Sequence, residues 1–83
     1  MRLNMLLKIL ITYDDVEFIK LDGFDDAVIG CNSDRDRLIY SAKKCISILM
    51  KNGLSYEEAS EYFDYNIDSL KIKNGPIICD DDF

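Results

Sequence analysis

The chain has no histidine, only three cysteines, and four glycines that never cluster. Without histidine, no side chain of ordinary pKa exchanges a proton near neutral pH, and the commonest metal ligand is missing. Gly23, Gly30, Gly53 and Gly75 each stand alone at an expected turn or strand end, so no glycine-rich loop is available to cradle phosphate. Cys31, Cys45 and Cys79 are odd in number and far apart. They offer no close pair for zinc and no Cys-x-x-Cys redox centre, and they fit buried structural thiols in a reducing compartment. Basic residues are also in short supply, 10 against 16 acidic ones, for a formal net charge of −6. DNA affinity comes mainly from Lys and Arg neutralising phosphates, so this balance argues against direct nucleic-acid binding, and equally against anionic membrane faces. A basic protein surface is the electrostatic complement. The plainer role of such a charge is to keep a small protein in solution.

A long apolar run is absent as well. Met1–Thr12 carries a basic residue and several leucines, which raises the question of a signal peptide. Lys8 interrupts the run, no small-residue cleavage site follows, acidic residues begin at Asp14, and the stretch is too short to span a bilayer. It is expected to belong to the fold. Eighty-three residues make one domain, 1–83, with the acidic end 80–83 frayed. A core this small gains from a staple. With disulfides and metal disfavoured, self-association as a homodimer is the remaining one.

Leu3, Leu6, Leu7 and Leu10 keep helical spacing, and Tyr13, Val16 and Ile19 continue it, so a helix running on into residues 13–20 is expected. Ile9 and Ile11 leave a buried strand open as an alternative for the first part, and Thr12 or Asp14 can begin a second short helix. Asp22-Gly23 ends the element. Ala27–Cys31 and Leu38–Tyr40 are apolar runs around a polar turn and read as a β-hairpin. Ser41 is placed to cap a helix over Ala42–Asn52 whose buried face is Ala42, Cys45, Ile46, Leu49 and Met50, with Lys43, Ser47 and Lys51 outside and Gly53 just past the end. Ser55 and Glu58 form a capping-box pattern for a second helix starting at Tyr56. Leu70–Lys73 alternates like a strand, Asn74-Gly75-Pro76 is a turn, and Ile77–Cys79 is a last strand. The expected fold class is α+β: a small antiparallel sheet, made of the hairpin and the C-terminal strand, packed against two consecutive helices, with an N-terminal helix.

Asp22-Gly23-Phe24-Asp25-Asp26, followed by Ala27-Val28-Ile29-Gly30, and Ser55-Tyr56-Glu57-Glu58-Ala59-Ser60-Glu61-Tyr62-Phe63 through Asn66 form a pattern that resembles a family of small, functionally unassigned proteins of tailed bacteriophages and related mobile elements. Gly23, Phe24, Asp25, Asp26, Gly30, Tyr40, Tyr56, Glu58, Ala59, Phe63 and Asn66 match its recognisable positions over roughly residues 21–79. After Asn66 the chain departs: Asp68–Lys73 replaces a small apolar step, and Asn74-Gly75-Pro76 lacks the family's Thr before Pro. The resemblance implies a phage origin and residence in the host cell cytoplasm. It implies no chemistry.

No catalytic constellation is present. Asp25 and Asp26 are adjacent, which on a strand sends them to opposite faces, and they suit the turn around Gly23 better than an acid–base pair. No enzyme activity and no cofactor are expected. Phe24 is expected to tuck beneath the hairpin. The second helix is the better candidate. Glu57, Glu61, Asp64 and Asp68 are spaced four, three and four, forming one carboxylate stripe flanked by Tyr62 and Tyr65, while Tyr56, Ala59, Phe63 and Ile67 face the core. Tyrosine is enriched in interfaces, and like charges stacked at this spacing cost a helix some stability. The helix has no basic residue before Lys71, which argues against a DNA-recognition role for the helix–turn–helix corner. The expected partner is a host defence or nucleic-acid-handling protein with a basic surface, of the kind targeted by anti-restriction, anti-BREX or anti-CRISPR inhibitors, bound in the manner of a DNA mimic. The alternative is a small oligomeric phage structural or assembly protein.

Overall fold

The computed structural model describes residues 4–32, 34, 36–68 and 75–81. The order is helix α1 (Met5–Thr12), a 3₁₀ turn (Asp25–Ala27), strands β1 (Val28–Asn32) and β2 (Arg37–Ser41), helices α2 (Ala42–Lys51) and α3 (Tyr56–Phe63), a π turn (Asp64–Asp68) and strand β3 (Ile77–Cys79). The α+β class is as expected. The strand reading of Leu70–Lys73 falls outside the described residues.

Asn4 caps α1, its side chain accepting from the Leu7 N–H at 2.9 Å, and its Nδ2 reaches Asp26 Oδ1 at 3.5 Å. The helix was expected to run into residues 13–20 and instead stops at Thr12, with Tyr13 at φ −115° and ψ 57°. Asp14 and Asp15 follow immediately, and acidic groups oppose the negative, carbonyl end of a helix. The chain from Tyr13 to Phe24 is held by side chains: Tyr13 and Phe18 meet edge to face at 6.5 Å, and Tyr13, Phe18, Leu21 and Phe24 pack on the core. Phe24 lies half-buried there, as its expected place beneath the hairpin requires. The fully buried Tyr40 hydroxyl accepts from the Leu21 N–H at 2.9 Å, tying this irregular segment to β2.

β1 begins one residue later than expected because Asp25 and Asp26 open the 3₁₀ turn; they are not strand residues. The β1–β2 pairing is antiparallel, and its register slips between Val28 and Gly30, so that Ile29 is the extra residue of a bulge. The sheet order is β1-β2-β3. β3 pairs parallel to β2, with Ile39 opposite Ile77 and Ser41 opposite Cys79, so the sheet is mixed where an antiparallel one was expected. The reason is the connection. An antiparallel neighbour is reached by a short turn, whereas a parallel one needs a crossover, and here both helices lie between β2 and β3.

Leu38, Tyr40, Ala42, Cys45, Ala59 and Phe63 form the centre of the core, with Leu6 and Ile9 from α1 and Ala27 and Val28 from β1. Met50, expected on the buried face of α2, is exposed. The α2–α3 corner is a Schellman motif: the Leu54 N–H donates to Leu49 O at 3.3 Å and the Gly53 N–H to Met50 O at 3.0 Å. Gly53 takes φ +106°, a conformation L side chains avoid. Replacing it with alanine is expected to cost about 1–2 kcal/mol. At Gly30, where φ is ordinary and an added Cβ meets Ile39 Cδ1 at 3.9 Å, alanine is expected to fit. Urea unfolding of Gly53→Ala and Gly30→Ala checks the contrast, and equal losses at the two positions would contradict it.

Candidate functional site

Helix α3 begins with the expected capping box. The Glu58 N–H donates to Ser55 Oγ at 3.2 Å, and the Ser55 N–H donates to Glu58 Oε1 at 3.0 Å. Both bonds set the helix start, and the spacing of Ala59 and Phe63 then fixes which face turns inward. Glu57, Glu61 and Asp64 are exposed along the opposite side, and Tyr62 and Tyr65 are exposed beside them, 46% and 82% accessible. Asp68 closes the π turn. Asn66 Nδ2 donates to Tyr62 O at 3.1 Å at the start of that turn. Tyr56 was expected in the core and is instead 52% exposed; Ala59, Phe63 and Ile67 are buried as expected. Tyr56 is the first helical residue, at the rim of the packed face.

Beside the stripe lies a cleft of about 320 Å³ where α2, α3 and β3 meet. Ala42, Ile46, Phe63 and Ile78 supply its apolar lining, Tyr56 one wall, and Asp64 and Asp80 its carboxylates. Ser60 also lines it, and the Ser60 hydroxyl is shut off from solvent with no hydrogen-bond partner. Sequence reasoning found Asp64 but not the cleft. Ser60 was a signal: a hydroxyl midway along a helix, between the buried face and the carboxylate stripe. The contribution of Ile78 and Asp80 depends on the parallel placement of β3, which no local pattern announces.

The acidic end 80–83 was expected to fray; residues 82 and 83 lie outside the described residues. Asp81 instead accepts from the Lys43 N–H at 2.9 Å and from the Ser41 hydroxyl at 2.6 Å, while Ser41 Oγ accepts from the Lys44 N–H at 3.0 Å. Two free N–H groups of the first turn of α2 are thereby satisfied by two side chains. The same geometry places Asp80 at the cleft. Arg37 Nε donates to Gly75 O at the opposite end of β3.

Two carboxyls of this region, Glu58 and Asp81, accept charge-assisted bonds. The Lys43 N–H, and then the Ser41 hydroxyl, hold the Asp81 carboxyl below its ordinary range. The Ser55 backbone N–H, and then its side chain, do the same for Glu58. Burial pushes the Cys45 thiol up to about 12, so it stays protonated and unreactive at neutral pH. Burial also raises the Tyr40 hydroxyl above its ordinary value. Cys31 and Cys79 are free and half-buried. Among the described residues, no helix is long and apolar enough to cross a membrane.

Comparison of the chain with protein-family models, curated proteins and solved structures returns no match.

The depressed carboxyls give a pH dependence of fixed sign. A carboxyl whose pKa is lower folded than unfolded contributes stability that is complete above its unfolded value and is lost as pH falls through its folded value. For Glu58 and Asp81 the loss therefore begins below about pH 4. Urea midpoints at pH 7 and pH 3 are expected to differ less in Glu58→Gln/Asp81→Asn than in the parent chain. An unchanged difference would contradict the two bonding patterns.

Proposed function

We infer that this chain is a phage-encoded accessory protein that binds a host defence protein of the nucleic-acid-handling kind and blocks it, with no catalytic step. The observation that carries this reading is the outer side of α3: Glu57, Glu61 and Asp64 lie exposed beside the exposed Tyr62 and Tyr65, on a chain of net charge −6. Carboxylates at this density repel nucleic acid and complement a basic groove built to hold it. Tyrosines at the edge supply contact area at low entropic cost, which carboxylates alone do not. The phage origin rests on the resemblance of residues 21–79.

A second reading, a small oligomeric structural or assembly protein of a phage, is favoured by a different observation. Leu7 and Ile11 stand one turn apart on α1 and both face solvent, Ile11 at 64%. Apolar side chains aligned in this way suit contact with a second copy.

Affinity purification of the tagged chain from infected cells, with mass spectrometry of what accompanies it, separates the two. The inhibitor reading predicts a dominant basic, nucleic-acid-handling partner whose capture falls at least about tenfold in Glu57→Lys/Glu61→Lys, since rim charges govern encounter as well as affinity. Recovery of the chain alone, or with other phage proteins, together with a dimer in sedimentation that Ile11→Lys dissociates, would support the structural reading.

A further inference from the structure

The cleft between α2, α3 and β3 combines three features that a merely solvated acidic surface does not. Its lining is apolar, because Ala42, Ile46 and Phe63 belong to the core and Ile78 packs against it. Two exposed carboxylates, Asp64 and Asp80, come to it from elements far apart in the chain. Within its wall, the Ser60 hydroxyl is buried without a partner, a state that costs about 1–3 kcal/mol and calls for a physical reason.

Each feature narrows the occupant. The carboxylates reject an anion. A neutral apolar group would cover them unpaired, which is unfavourable. A simple inorganic cation makes no use of the apolar lining. A side chain with a hydrocarbon stem and a cationic head uses both, because its stem lies along apolar surface while its head stays among acceptors. Arginine suits better than lysine: its guanidinium presents five N–H donors in a rigid fork and is more weakly hydrated than an ammonium, and the carboxylates of Asp64 and Asp80 are at hand to accept them.

We propose that the cleft lined by Ile46, Ser60, Phe63, Asp64, Ile78 and Asp80 receives an arginine side chain of the basic partner, its stem against the apolar lining and its guanidinium between the two carboxylates. The inference rests on the inhibitor reading for the partner's identity, but the cleft's chemistry is testable without it. Arginine is a leading residue in contacts to phosphates and to guanine edges in nucleic-acid-handling proteins. Capturing one would occupy a group that such a protein needs for its own ligand. The cleft adjoins the α3 stripe through Asp64, so stripe and cleft form one continuous surface, with the arginine as its anchor.

The test is a titration of the ¹⁵N-labelled full chain with N-acetyl-arginine methylamide, followed by amide shifts, beside the neutral isostere N-acetyl-citrulline methylamide. Saturable shifts are expected at Ala42, Ser60, Asp64 and Asp80, absent with citrulline. Binding is expected to weaken about fivefold in Asp64→Asn and again in Asp80→Asn, the scale of one partly exposed ion pair per carboxylate. Equal shifts from citrulline, shifts confined to the side of α3 bearing Glu57 and Glu61, or no shifts would overturn the assignment. A concentration-dependent dimer that Asp64→Asn/Asp80→Asn dissociates would assign the cleft to a second copy and overturn the hetero-partner. Capture of a basic partner that survives Asp64→Asn/Asp80→Asn would overturn the arginine anchor and leave the inhibitor reading standing on Glu57 and Glu61. Arginine binding in the cleft, with no basic partner captured, would do the reverse.

Discussion

The junction at Ser41 is the constraint on which the other elements depend. Here the central strand becomes a helix without an intervening loop, so one residue serves both. As a strand residue Ser41 pairs with Cys79, and as N-cap it accepts from the Lys44 N–H. Its side chain is buried, so the hydroxyl must be fully bonded within the protein, and Asp81 completes it. The start of a helix leaves orphan N–H groups that need acceptors. Asp81 supplies the second acceptor through the Lys43 N–H. That single carboxylate links the end of the last strand to the start of α2, 38 residues earlier in the chain, and it does so only because β3 runs parallel to β2. An antiparallel β3 would carry residues 80 and 81 to the other end of β2, beside Arg37.

The geometry of the cleft follows from the same junction. With β3 in parallel register, Ile78 and Asp80 arrive beside the N-terminal turn of α2, opposite the Ser60 side of α3. The cleft is the space left where those three elements meet. Its carboxylates are therefore positioned by long-range topology, whereas the stripe of Glu57, Glu61 and Asp64 is positioned by local helix periodicity. A surface assembled from both is stiffer than a row of acidic side chains on an isolated helix, because α3 is capped at its start by Ser55 and Glu58 and buried along Ala59 and Phe63. Rigidity reduces what is lost in ordering the surface when a partner binds.

Much of the fold was legible in the sequence where local chemistry decides. Ser41, Ser55 with Glu58, and Gly53 announced the helix boundaries because capping depends on residues three apart. Two short apolar runs around a polar turn announced the hairpin. Three things were not legible, each for a reason of range. The direction of β3 depends on how two helices carry the chain across the sheet. The end of α1 depends on Asp14 and Asp15 opposing the carbonyl end of the helix, against an apolar spacing that continues to Ile19. The binding of Asp81 depends on β3, since an acidic terminus in isolation reads as a solvated tail. Of the site, the exposure of Glu57, Glu61, Asp64, Tyr62 and Tyr65 followed from helical spacing. Ser60, Ile78 and Asp80 became candidates only once the cleft was visible, and Tyr56 left the core because position one of a helix sits at the edge of the packed layer.

Ser41 and Asp81 act together in holding the last strand onto the start of α2. The most direct measurement is a double-mutant cycle in urea, using Ser41→Ala, Asp81→Ala and the pair. If the two side chains form one capping unit, each single change costs about 1–2 kcal/mol, the scale of a lost helix cap, and the pair costs clearly less than the sum. Strictly additive losses, or an Asp81→Ala chain as stable as the parent, would contradict this coupling and return Asp81 to the role of a solvated tail residue.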